Sequence, residues 1–317
     1  MAEVLVVSRL LQFATAIVVF GCVAFRVYGL GIDTTTTSAS ALAVFDAWFW
    51  RVTTVGAIIA LLSALSLMLA ITANMAGSLA AALDPDMIGK VLFGTGFGRV
   101  WCWHLAFAAL TIGVCLVPNL HWRMPAILVL ALLLLLGLGW VGHAVEGQGP
   151  MKFVHEINQM LHLLAAGLWL GGLLPLAWLL GYARSPSGSA WISVARDVVP
   201  RFSQVGYAAV GLLAVTGALN TLLLVGSIHA LLGTPYGRLL ALKILLFLAM
   251  VSLALFNRFR LLPRLRREPQ PSKTITALTR SVLFEQGLGL AILGSSVFLG
   301  PGRRPFTIIS PTADVSA

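Results

Sequence analysis

MPAILVLALLLLLGLGWVGH, residues 124–143, is a run of twenty residues without a single Asp, Glu, Lys or Arg. The hydrocarbon core of a bilayer asks for about 20 consecutive apolar residues in an α-helix, because no water is present there to satisfy backbone left outside one. The run therefore reads as a transmembrane helix ending on a histidine. Working outward from it, seven more segments share its character. The full set is 4–29, 49–72, 100–118, 124–143, 156–182, 203–227, 238–258 and 281–300.

The composition agrees. The 317 residues are 59% hydrophobic and only 10% charged, whereas a soluble domain carries about 25% charged residues. A chain this poor in charge cannot cover a water-exposed surface, which excludes a soluble globular enzyme. The expected fold class is all-α: a polytopic transmembrane helix bundle of about eight helices, with 1–317 as a single membrane domain. The first segment is too long for a secretory h-region, holds Arg9 and lacks a small-residue cleavage site, so it reads as a retained helix. Residues 73–98 hold Asp84-Pro85-Asp86 and read as a short interfacial stretch. The last residues, 301–317, read as a loose polar tail. Cys22, Cys102 and Cys115 lie in or beside apolar runs without a CxxC pair, which speaks against a disulfide framework.

With eight helices, loops 1–2, 3–4, 5–6 and 7–8 take 13 Lys/Arg, and the remaining loops with both termini take 8. Lys and Arg are retained on the cytoplasmic side, so the first set is cytoplasmic and both termini are periplasmic. Most of the excess comes from 257–280, which contains RFRLLPRLRR at 258–267. The net charge of +10 is explained by this asymmetry and does not point to nucleic acid.

That topology puts five of the six histidines at the outer face. His104 lies near the start of the third helix and His143 ends the fourth. His155 and His162 open the fifth, and His229 follows the sixth. His121 falls on the cytoplasmic side. Ionisable residues in a membrane are costly and mark function by default, although each histidine alone also fits a helix cap or an interfacial anchor. Within MKFVHEINQMLHLLAAGLWLGG, residues 151–172, His155 and His162 are seven apart, which brings them near one helix face. Met151 precedes His155 by one turn. Imidazole suits Cu, Zn, Fe and Ni, and a thioether favours Cu(I) among these. His143, His162, His155, His104 and Met151 are therefore the candidate ligands, and a copper ion the candidate metal.

These residues sit in a stretch that resembles a known family. GHA at 142–144, HLLAAGLWLGGLLPLA at 162–177 and RFSQVGYAAVGLLAVTGALN at 201–220 are followed by LLGTPYGRLLALKILLF at 231–247, NRFRLLPRL at 257–265 and RSVLFEQGLGLAIL at 280–293. In order and spacing, 142–299 resembles the CopD family of bacterial copper-resistance and copper-uptake membrane proteins. The N-terminal half is similar only in hydropathy and helix count. The resemblance implies a multi-pass protein of the cell inner membrane that helps copper across, beside a periplasmic copper-binding partner of the CopC kind. It also implies that His143 and His162 are metal-associated.

Other polar residues fall inside apolar runs. Arg9, Lys243 and Glu285 read as side chains that snorkel to an interface, with Glu285 alternatively receiving a cation or proton. Asn220 reads as an interhelical hydrogen-bonding residue, and 169–175 as a closely packed, kinked stretch. A second reading of the histidines is a b-type membrane cytochrome with two of them ligating haem; a Soret band separates the two. A third is a sensor or docking subunit without transport, which a flux assay separates. No hydrolase, kinase or nucleotide motif is present, so a non-enzyme is expected.

Overall fold

Among the described residues each apolar segment is largely helical, and several of these helices begin before the residues that hydropathy marks. The computed structural model describes residues 2–31, 39–78, 80–118, 121–140, 150–185, 188–225 and 233–297. In chain order they form α1 (Ala2–Tyr28), α2 (Ala39–Ala76), a short α3 (Pro85–Gly94), α4 (Gly96–Leu116) and α5 (Arg123–Gly137). Then come α6 (Pro150–Ala166), α7 (Gly172–Ala183), α8 (Ser189–Val225), α9 (Pro235–Phe256), α10 (Leu262–Arg267) and α11 (Ser272–Val297). The 37 residues of α8 measure about 55 Å at 1.5 Å per residue, so it projects well beyond a hydrocarbon core of about 30 Å.

Local chemistry sets the boundaries. The interfacial stretch yields α3: Asp84 caps it by accepting the Asp86 N–H at 3.1 Å, and Pro85 fills the first helical position, where no N–H is needed. Thr95 caps α4 through the Gly98 N–H at 2.9 Å, and Thr234 caps α9 through the Gly237 N–H at 3.0 Å. α6 and α7 form one span interrupted by a π-turn at Gly167–Gly171, and α9 and α10 are joined by another at Asn257–Leu261. A proline follows each, Pro175 and Pro263. Proline cannot donate to the carbonyl four residues back and its ring crowds that carbonyl, which the wider turn relieves. The first π-turn and Pro175 fall in and beside 169–175, the stretch where a kink is expected.

Seven of the described helical spans are long and apolar enough to cross a membrane. The remaining expected segment folds as α11, 26 residues long. It is less apolar because Arg280, Glu285 and Gln286 lie in its middle, and Glu285 is turned inward at 2% exposure. Large apolar side chains such as Phe284, Leu222 and Leu245 stand exposed on the outside, as a lipid-facing surface requires.

α1 lies at the centre of the bundle, with Ile17, Phe20, Val23 and Phe25 buried. Gly21 of α1 meets Gly171 of the first π-turn backbone to backbone; a Cβ on either would collide with the other chain. At one end of the bundle the basic loops are tied together. Arg26 bonds Asp46 at 2.7 Å and the Gly31 carbonyl at 2.9 Å, and Gly31 adopts the left-handed backbone that suits glycine. Arg201 donates to the Gly29 carbonyl at 3.0 Å, and Arg196 to those of Leu265 and Glu268 at 3.1 and 2.5 Å. Arg123 stacks 3.4 Å above the Trp50 ring. The four loops counted as basic therefore share one end. His143, His229 and the tail 301–317 lie outside the described residues.

Candidate functional site

The polar face of α6 carries His155, Asn158 and His162, at a spacing of three and then four residues, so they form one stripe along the helix. Asn158 and His162 meet α8. His162 Nδ1 lies 2.8 Å from Thr216 Oγ1, and the Thr216 hydroxyl donates to the Leu212 carbonyl at 2.6 Å. With its hydrogen spent on Leu212, the hydroxyl can only accept from the imidazole. His162 thus carries its proton on Nδ1, and Nε2 keeps a lone pair that no described residue engages. This is how a metal-binding histidine is oriented: a partner on one ring nitrogen sets the tautomer and leaves the other nitrogen for the metal.

One turn earlier, buried Asn158 donates to the Thr216 carbonyl at 3.1 Å and to Asn220 Oδ1 at 2.8 Å. The interhelical role expected of Asn220 is thus realised, and its partner is Asn158. Membrane hydrogen bonds of this kind are worth about 0.6 kcal/mol and rarely more than about 1.7. Asn158→Ala is expected to lower stability by about 1 kcal/mol, read as a modest fall in the detergent unfolding midpoint, with the protein still assembled.

His104 belongs to a different cluster. It is 1% exposed and stacks on Trp101, ring centroids 4.8 Å apart and 11° between planes. Its Nε2 lies 2.5 Å from Gln12 Nε2, and Gln12 Oε1 accepts from Ser63 Oγ at 2.6 Å. Nδ1 has no partner among the described residues and faces Gly137, where a Cβ would come within 3.2 Å of it. With Nε2 accepting from the Gln12 amide N–H, the ring proton lies on Nδ1, so neither nitrogen offers a free lone pair to a metal in this arrangement. As packed here, His104 of α4 bonds Gln12 of α1, which in turn bonds Ser63 of α2, and its ring lies against Gly137 of α5.

His104 and His162 thus have separate hydrogen-bond partners. Among the described candidates, His162 and His155 share a face of α6, His104 sits apart among α1, α2, α4 and α5, and Met151 is 57% exposed at the start of α6. His143 cannot be compared with His162, because it lies outside the described residues. His121 is exposed beside the basic loops. Among the described residues no group of three or more His, Cys, Asp or Glu is placed to hold a metal ion. Gln12, Ser63, Asn158 and Thr216 are hydrogen-bonding partners that a search for ligand types passes over. Their signal is a hydrogen-bonding side chain inside an apolar run. Glu285 departs from its snorkelling expectation: it is buried and accepts from Asn257 Nδ2 at 2.7 Å.

Comparison with known proteins bears on the whole chain. Residues 1–153 match the family described as copper resistance protein D-like, N-terminal domain, and residues 196–299 match copper resistance protein D. Inner membrane protein YebZ of Escherichia coli (strain K12) is 33% identical over 262 residues, covering 82% of this chain and 85% of YebZ. The chain belongs to the copper resistance protein D (CopD) family. Copper transport protein CutJ of Bacillus subtilis (strain 168) is 32% identical over 75% of this chain, which spans 43% of CutJ. Copper resistance protein D of Pseudomonas syringae pv. tomato is 29% identical over 65% of this chain and 68% of its own length. No solved structure matches. With its membrane-crossing helices and these relatives, this CopD-family chain is a multi-pass inner-membrane protein with a copper-related role.

Proposed function

We propose that the protein binds a copper ion at its outer face and moves it from periplasm to cytoplasm, with His162 Nε2 as one copper contact. The observation that carries this reading is the Thr216–His162 arrangement, which fixes the imidazole with its metal-binding nitrogen unengaged. Imidazole is a good copper ligand, and the relatives named for copper transport and copper resistance favour copper over other imidazole-binding metals. His143 is the second contact we assign, with His155 and Met151 as further contacts along the start of α6. A CopC-like periplasmic protein would deliver copper at this end. The protein acts as a carrier, with no bond made or broken in a substrate, and so is not an enzyme in this reading. The haem alternative asks for histidines opposed on separate helices, whereas His104 and His162 have separate sets of partners.

The test is uptake of copper into vesicles reconstituted with purified protein. Copper accumulation above protein-free vesicles, from colourless protein, is expected. Failure of wild type to accumulate copper overturns the carrier reading, and a Soret band in place of bound copper selects the cytochrome.

Orientation has its own test. The Lys/Arg asymmetry, together with the four basic loops at one end, supports periplasmic termini. A reporter fused after Ala317 is expected to be active in the periplasm, and one inserted within 264–273 in the cytoplasm. The reverse pattern would move the histidines to the inner face.

A further inference from the structure

The two π-turns converge on a buried carboxylate. Trp169, on the first, and Asn257, on the second, line a cavity of about 70 Å³ together with Glu285 of α11. Glu285 is 2% exposed and lies half-way along its helix. Asn257 Nδ2 donates to its Oε1 at 2.7 Å, and Trp169 lines the cavity beside it. No Lys or Arg among the described residues forms an ion pair with it. Arg258 lines the same cavity but stacks over the Tyr207 ring, 5.4 Å from its centroid, and reaches Ser203 Oγ at 3.5 Å. A carboxylate at this depth without a counter-charge is costly, so the pocket has to supply one.

Asn257 suits a group that changes its protonation. Its Oδ1 is buried and has no partner among the described residues. As placed, the amide N–H faces an ionised Glu285. Turned over, the amide presents Oδ1 to accept from a protonated one. Both states of the carboxyl find a partner in the same residue. Arg258 and Leu262 stand between this cavity and a second one, of about 370 Å³, bounded by Arg266 and Arg267 at the basic end.

We propose that Glu285 is a proton-exchanging site coupled to the passage of copper, a proposal that rests on the carrier reading. Trp169 follows His162 by seven residues on the same span, about 10 Å along the helix axis. A copper cation arriving at His162 favours the ionised carboxyl below it. The carboxyl O–H bond breaks, the proton leaves toward water at the basic end, and the carboxylate balances the incoming charge; no electron is transferred. The other ionisable groups nearby are Arg258 and Tyr207 on the cavity wall and Lys243 of α9, which faces His162.

Two measurements test this, and one does not depend on transport. In infrared difference spectra of purified wild type, a carboxylic-acid C=O band should disappear when copper is added, and E285Q should lack that change. Glutamine keeps the shape and the Asn257 contact but has no proton to release. A copper-induced band that persists in E285Q overturns the proposal whether or not the protein transports copper. In sodium-free reconstituted vesicles, wild-type copper uptake should change severalfold with an imposed pH gradient, and uptake by E285Q should be insensitive to it. Equal sensitivity in both, or a response to a sodium gradient in its place, overturns it. Absence of wild-type uptake overturns the carrier reading alone, and the infrared result then stands by itself.

Discussion

Copper uptake into vesicles carrying His162→Ala is expected to fall to about a hundredth of the wild-type rate, and into vesicles carrying Thr216→Val to about a tenth. The second figure is the usual loss when the partner that orients a metal-binding histidine is removed, about 10- to 100-fold in affinity or activity. Removing the imidazole itself must cost at least as much. Thr216→Val keeps the shape of the side chain and takes away only the acceptor for His162 Nδ1. Neither change reduces the apolar character of its span, so membrane insertion and yield should match wild type. His121→Ala is the control, since His121 lies by the basic loops and should leave uptake unchanged. Wild-type uptake in both His162→Ala and Thr216→Val would mean that the pair only ties α6 to α8.

The second large effect is structural. Gly171→Leu is expected to destabilise the bundle by about 3 kcal/mol, the upper part of the range for overpacking a close contact, and to shift its detergent unfolding midpoint sharply downward. The cause is local: any Cβ at Gly171 runs into the backbone of α1 at Ile17 and Gly21, which cannot move aside as the tip of a side chain can. Gly113→Leu is the matched control, because a Cβ on Gly113 meets nothing within 4 Å. Equal behaviour of the two variants would show that α1 and the π-turn do not approach as closely as described.

Hydropathy locates the helices because crossing a bilayer is a one-dimensional requirement that one stretch of chain meets alone. It misses the first ten residues of α2 and the first fourteen of α8, where Asp46, Arg196, Asp197 and Arg201 lie outside the apolar run yet stay helical. It also places α11 among spans of uniform character, although inward-facing Glu285 and nearby Gln286 set that helix apart. The histidine stripe of α6 is legible, since the period of a helix tells which residues share a face. Which neighbour that face meets is not a local property. Gln12 reaches His104 from 92 positions away and Thr216 reaches His162 from 54, and no spacing rule encodes either contact. Depth alone groups His104 with His162 and says nothing of the separate partners that each one meets. The family likeness behaved in the same way. It could be read directly in 142–299, whereas the match over 1–153 emerged only against a family description.

The central position of α1 bears on how the protein is made. α1 carries the bare surface at Gly21 whose counterpart, Gly171, is translated 150 residues later. At about 5–20 residues per second, α1 waits roughly 8–30 s in lipid before the π-turn that fits it has been synthesised. Through that interval Ile17, Phe20 and Phe25 face acyl chains or a resident insertion factor in place of their final neighbours. Assembly of this bundle is thus a late event of translation, and an early stop would leave a helix that is inserted but has nothing to close against.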